Sequence, residues 1–228
     1  MKNLYLLLIS IILFSCGNER ILQLPEIENA KITEIHDVSQ AYLFYDETKA
    51  DSVELNRKNL IITTNWLVNV DKRLTLAQAI PKIKFLQDKK RSAELHKNEN
   101  AKNYFTCSDT SIKNLGFLEF TDVIFNDGHL KNTYSQSSNS ELDTSNFINQ
   151  NHQQNDILII EIKKSKKWDY LSLRKYLEHA LKNKAKESVM IYLNFEKNLS
   201  FQDYIEFKSI LDNIKIEELF IDNNEFIY

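Results

Sequence analysis

The chain has 228 residues, 43% hydrophobic and 27% charged, enough apolar content to bury one or two compact cores. Lys+Arg 29 against Asp+Glu 32 leaves a formal net charge of -3, which removes the global basic excess that nucleic-acid binding draws on. The 3 glycines, Gly17, Gly116 and Gly128, lie far apart, and neither GxGxxG nor GxxxxGK(S/T) is present, so nucleotide-binding folds built on those loops are not expected.

The chain opens with Lys2, an apolar run from Leu4 to Phe14 broken only by Ser10, then Ser15 and Cys16. A single positive charge, a short apolar stretch and a small residue in that order read as a secretory signal segment. The run is too short for a comfortable transmembrane helix, and Gly17, Asn18, Glu19 and Arg20 follow at once. The tetrad Leu13-Phe14-Ser15-Cys16 resembles a bacterial lipobox. That resemblance implies cleavage after residue 15, a diacyl or triacyl (palmitate-type) anchor on Cys16, and a periplasm-facing lipoprotein on a membrane of the cell envelope. An uncleaved apolar N-terminal anchor with an incidental cysteine is the alternative. Once Cys16 carries lipid, Cys107 is left alone and no internal disulfide forms, so the core holds the fold unaided.

Residues 16–29 are expected to be a lipidated tether and 30–126 an N-terminal α/β domain. Residues 127–156 carry Ser135-Gln136-Ser137-Ser138-Asn139-Ser140 and Asn149-Gln150-Asn151-His152-Gln153-Gln154-Asn155, a polar linker or long exposed loop. In 157–228 the runs Ile157 to Ile162 and Val189 to Phe195 suit buried strands. Between them Tyr170, Leu173, Tyr176, Leu177, Ala180 and Leu181 recur at helical spacing. Ser200-Phe201-Gln202-Asp203 opens a second helix as a capping box, and its apolar positions are broad enough for burial on two sides. Asp222-Asn223-Asn224 then marks a terminal hairpin or a bulged last strand. The order β-α-β-α-β predicts a two-layer sandwich, and the whole chain an α/β (α+β) fold of two such modules.

An internal repeat points the same way. Leu67 to Leu76 aligns with Tyr192 to Phe201 at an offset of 125 residues, each reading strand, acid-Lys turn, Leu, hydroxyl cap, helix. Ile80 and Leu86 match Ile205 and Leu211, while Pro81 is expected to kink or delay the first helix. Chance likeness of two strand-to-helix turns is the competing explanation.

Residues 157–222 resemble the periplasmic domain of the ExbD/TolR biopolymer-transport proteins through Val189 to Phe195, Glu196 to Ile205 and the closing strand. Those proteins carry a transmembrane helix with a functional acid where this chain carries a lipobox, so proton-coupled energy transduction is not implied. The resemblance implies a small envelope domain that self-associates or touches protein or wall partners.

Chemistry-bearing motifs are sparse. His36, His96, His129, His152 and His179 form no HxH, HExxH or Cys/His metal spacing. No metal, cofactor or catalytic residue is nominated. Charge, in contrast, is segregated. Nine bases face two acids from Lys163 to Lys186, and nine bases face four acids from Asp71 to Lys102. Lys163, Lys164, Lys166, Lys167 and Trp168 form a candidate patch for an anionic headgroup, wall polymer or acidic protein; neutralisation by the acidic segments Glu26 to Glu54 and Glu187 to Glu225 is the other reading. The expected function is a non-catalytic, lipid-anchored envelope module for a protein or wall-polymer partner. The rival is a lipid-anchored hydrolase, with a pocket near His36, Cys107 or Asp109.

Overall fold

A computed structural model describes residues 21–93, 98–130, 155–183, 185 and 187–228. In chain order the elements are β1 (Glu26–Ile27), β2 (Val38–Tyr45), β3 (Val53–Asn56), β4 (Asn65–Val70), α1 (Leu76–Arg91), β5 (Asn103–Asp109), β6 (Asn114–Glu119), β7 (Ile124–Asp127), β8 (Asn155–Ile162), α2 (Tyr170–Lys182), β9 (Ser188–Phe195), α3 (Phe201–Asn213) and β10 (Leu219–Ile227). The chain is an α/β protein. One sheet runs β1-β5-β4-β2-β3 with β6 also on β5, and a second, all parallel, runs β7-β10-β9-β8. β4 and β9 are buried at nearly every position, and each sits inside its sheet with both faces covered, as parallel strands require.

The two halves repeat one plan. β2 pairs in parallel with β4, setting Leu43 opposite Val70, and β8 pairs in parallel with β9, setting Ile162 opposite Phe195. The turn after each central strand closes the same way. The Asp71 N–H donates to the Leu43 carbonyl (2.9 Å) and the Glu196 N–H to the Ile162 carbonyl (3.0 Å). Leu74 then donates to the Asp71 carbonyl (3.1 Å) and Leu199 to the Glu196 carbonyl (3.0 Å). Short parallel strands flank the third parallel strand of each half, β1 beside β5 and β7 beside β10. The halves differ between their first two strands, where one inserts β3, antiparallel to β2, and the other inserts α2, and in β6, which adds antiparallel to β5 in the first sheet.

These two turns meet each other. Thr75 and Ser200 form an antiparallel bridge. Around it the Leu76 N–H donates to the Leu199 carbonyl (2.9 Å) and the Phe201 N–H to the Leu74 carbonyl (2.6 Å), while Ala77 donates to Lys197 (2.9 Å) and Gln202 to Lys72 (3.2 Å). Each bond maps onto its partner when residue numbers shift by the 125-residue offset of the sequence repeat, so the seam has local two-fold pseudosymmetry. Both helices start at this seam with hydroxyl caps. The Asp203 N–H donates to Ser200 Oγ (3.1 Å), and Thr75 donates through its N–H to Gln78 Oε1 (2.8 Å). Pro81 neither delays nor ends α1, because its ring lies on the exposed side of a helix already nucleated at Leu76.

One apolar cluster runs through both halves, joining Leu43, Val70, Ile83 and Phe105 to Ile191, Phe195, Phe201 and Tyr204. Tyr204 occupies its centre, 6.2 Å from the Phe105 ring of the first sheet and 4.9 Å from the Phe195 ring of the second. Its hydroxyl donates to Glu225 Oε2 (2.8 Å), and Lys208 Nζ donates to Glu225 Oε1 (2.5 Å). Glu225 is 1% exposed and sits where the β10 register shifts. The last element is therefore the bulged strand rather than the hairpin. Most of the expected linker, residues 131–154, lies outside the described residues, whereas its first residue, Asp127, ends β7 and pairs with β10.

Gly116 meets a close approach from the neighbouring segment: a Cβ there would lie 2.5 Å from Ala30 Cβ. The segment between β1 and β2 can thus cross the sheet and cover Leu67, Tyr104 and Phe117 with Ile32 and Ile35. Lys90 ties the far end of α1 to the strands. Its ammonium donates to the Thr64 carbonyl (3.3 Å), the Lys102 carbonyl (3.1 Å) and Asn103 Oδ1 (2.9 Å), and it lies 4.9 Å from the Trp66 ring centre. This lysine of the basic segment is internal, and burial lowers its pKa to about 8.

Two outcomes are expected. Tyr204→Ala should cost roughly 3–5 kcal/mol, and Ser200→Ala roughly 0.5–2 kcal/mol. Because the cluster is shared, each should shift one cooperative calorimetric transition; loss of one half with the other intact would contradict it. For Lys90, the unfolded chain holds more protons than the folded one between the lowered pKa of about 8 and the ordinary 10.5. Wild type should therefore gain stability relative to Lys90→Met as pH rises from 8 towards 9.5, read by urea denaturation at each pH.

Candidate functional site

The expected basic patch becomes a tight turn. β8 ends at Ile162, the Lys166 N–H donates back to the Lys163 carbonyl (3.0 Å), and Asp169 caps α2 by accepting from the Ser172 N–H (2.9 Å). A turn so tightly closed cannot bury four lysine stems, and Lys163 to Lys167 are all exposed. Lys166 Nζ lies 3.6 Å from the Trp168 ring centre, and Trp168 packs 5.3 Å from Tyr176. The stacked cation holds the indole as part of the patch.

In parallel sheets the carboxyl ends of the strands, where the loops fan out, are the usual ligand-binding rim. Here that rim gathers residues 128–130 after β7, the lysine turn after β8, Glu196 and Lys197 after β9, and Tyr228 after β10. His129 Nε2 lies 3.1 Å from Glu161 Oε1, and its ring meets Tyr228 edge-on at 4.4 Å. Lys163 Nζ pairs with Glu161 Oε2 at 2.5 Å, and the Lys164 N–H donates to Glu196 Oε2 (2.9 Å). The Lys163 hydrogen bond holds the Glu161 carboxyl below its ordinary range, and Glu161 in return raises the Lys163 ammonium.

Charge neutralisation thus accounts for Lys163 alone. The ammonium groups of Lys164, Lys166 and Lys167 have no ion-pair partner among the described residues. Trp168 Nε1, Tyr228 Oη and His129 Nδ1 are buried without a hydrogen-bond partner among the described residues. Two hollows flank the turn. One, of 550 Å³, is lined by Lys163, Lys164, Ser165, Glu196 and Tyr228; the other, of 800 Å³, separates Trp168 and Tyr170 from Glu26, Glu28 and Glu206. The sequence reading found the lysines and Trp168, took His129 for a solvated loop residue, and missed Tyr228 and Tyr170 as members of the rim. The signal for them was positional: each follows a strand or opens a helix at the same end of one parallel sheet.

The residues considered for a hydrolase do not converge. The His36 side chain is exposed and 3.5 Å from Glu34. Cys107 is 0% exposed inside β5, and burial, with the Asp109 charge, pushes its thiol far above the ordinary range. Burial alone would raise Asp109, but hydrogen bonds from the Ser111 hydroxyl and the Ser111 and Ala30 N–H groups outweigh it and hold the carboxylate ionised. None of the three lines the hollows beside the rim. Among the described residues no three His, Cys, Asp or Glu side chains gather as a metal site, and no helix is long and apolar enough to cross a membrane. Cys16 lies outside the described residues.

With Cys16 replaced by alanine, the remaining thiol of Cys107 should resist a disulfide reagent at pH 8 in the folded chain and react fully in denaturant; rapid native labelling would restore it as a nucleophile. No family model, no curated protein and no solved structure matches the chain.

Proposed function

We propose that the chain is a lipid-anchored protein of the bacterial cell envelope, acting as a non-catalytic interaction module for a protein or wall-polymer partner. The observation that carries this reading is the rim turn, where Lys164, Lys166 and Lys167 stand without ionic partners among the described residues, beside the stacked Trp168. Exposed cations of one sign on a turn supply an anion-seeking surface, and the adjoining 800 Å³ cleft, with Trp168 and Tyr170 facing carboxylates, offers room for a larger partner. The lipobox supports attachment through Cys16, and the order of charge, apolar run, small residue and cysteine supports export. The hydrolase reading has less support, since its residues are buried, committed to structural hydrogen bonds, or isolated.

Expression of the whole chain in a bacterial host tests attachment. Wild type should partition into detergent and show the mass of an acylated protein beginning at Cys16, and Cys16→Ala should lose both properties. An unchanged mature mass and unchanged partition in that variant would sink the lipoprotein reading. For the rim, Lys166→Glu with Lys167→Glu should leave the melting temperature nearly unchanged, because exposed charges contribute little to stability, while weakening retention on anionic partners at low salt. Retention unaffected by the double reversal would remove the turn as the contact surface.

A further inference from the structure

We infer that the anion met by the rim turn is the phosphate of acidic phospholipids in the membrane that carries the anchor, so that the domain lies on the bilayer through Lys164, Lys166, Lys167 and the outward face of α2. This rests on the lipid-anchor reading of Cys16.

Reach comes first. Cys16 precedes Gln23, whose N–H donates to Asp71 Oδ2 and whose carbonyl accepts from the Lys72 N–H, by seven residues, at most about 25 Å of extended chain. Glu26 to Asn29, just beyond, line the same cleft as Trp168 to Tyr170, so the tether joins the domain within a few residues of the cleft that borders the lysine turn.

The surface itself has the composition of a bilayer contact. Leu173 and Leu177 are the buried positions of α2, and Leu171, Lys175 and Lys182 follow at helical spacing on the opposite side. Leu171 is 65% exposed, and Tyr170 and Tyr176 are each 38% exposed. An exposed leucine and two tyrosines among lysines reproduce the pattern of an interfacial helix, with aromatic rings and an aliphatic side chain at headgroup depth and cations against phosphates. The two acids of this stretch are committed: Asp169 caps α2, and Glu178 accepts from Arg174 Nε at 2.8 Å.

The shape of the turn favours headgroups over an inserted side chain or sugar. The hollow bordered by Lys163, Lys164, Lys166, Lys167 and Trp168, and on α3 by Asp203 and Glu206, measures only 30 Å³, room for about one water. Cations arrayed over so shallow a surface match a plane of small phosphates. Glu206 borders both this hollow and the 800 Å³ cleft, which Glu26, Glu28 and Asp169 also line; a plane of phosphates is repelled from so acidic a cleft, which stays open for the protein or wall-polymer partner. An acyl anchor and a polybasic surface together give the two signals that stable attachment takes.

Trp168 is the reporter, because the only other tryptophan, Trp66, is 1% exposed in the core. The lipidated full-length protein is reconstituted into vesicles of brominated phosphatidylcholine alone, or of brominated phosphatidylcholine with phosphatidylglycerol at three to one. The Trp168→Phe protein supplies the background. Trp168 emission should be lost in the acidic vesicles only, recover at high salt as the charges are screened, and remain unquenched in Lys166→Glu with Lys167→Glu. Lys58→Glu with Lys89→Glu, on the other half of the molecule, should leave the quenching intact.

Equal emission in both vesicle types, with the protein still held by its lipid, overturns the membrane contact and leaves the anchor standing. Quenching that survives reversal of Lys166 and Lys167 overturns it too. Emission indifferent to acidic lipid but altered by purified wall polymer assigns the turn to the wall instead. A protein without acyl mass that does not stay with the vesicles removes the anchor reading, and this inference with it.

Discussion

Everything in this fold hangs on a backbone seam four hydrogen bonds wide. Leu74 and Leu76 exchange bonds with Leu199 and Phe201, and Lys72 and Ala77 do so with Lys197 and Gln202. Each bond satisfies an N–H of a helix start, a group with no partner inside its own helix. The seam therefore caps α1 and α3 with each other's turns, and neither helix start is complete alone. That mutual dependence is why one apolar cluster crosses between the sheets and why Tyr204 can touch rings from both.

The seam also explains what could be read from the amino-acid sequence. Local patterns gave β8, α2, β9 and α3, because their apolar spacing and the Ser200 cap are local signals. The repeat between Leu67 and Phe201 was visible, and its 125-residue offset is the register of the hydrogen bonds that join the halves. What it could not convey is that the two copies dock on each other, since contact leaves no mark in spacing. β1 and β7 were missed for a related reason: two and four residues are too few to show periodicity, and both are held by parallel partners far along the chain. Lys90 was counted as a surface charge because nothing local announces the three oxygens that converge on its ammonium.

The rim was half legible. A run of lysines next to a tryptophan stands out in any sequence, and the turn keeps Lys163 to Lys167 outside as a solvated segment should be. Which of those charges remains available was not read: Glu161, two residues before Lys163 at the end of β8, pairs with it and with no other lysine of the turn. The compensation is selective. It neutralises the lysine nearest the sheet and leaves those nearest Trp168 directed at solvent.

The two halves share strands, register and seam, yet between the first pair of parallel strands one carries the β3 hairpin and the other carries the lysine turn and α2. That connection, together with β6 added antiparallel to β5 in the first sheet, is where the two units differ in secondary structure while keeping the same dock. It acts as an interchangeable cassette: the seam imposes symmetry on the scaffold, and the cassette breaks it. The molecule consequently has two non-equivalent ends, so that one copy of the unit can be specialised for holding position while its twin supplies the rigid frame.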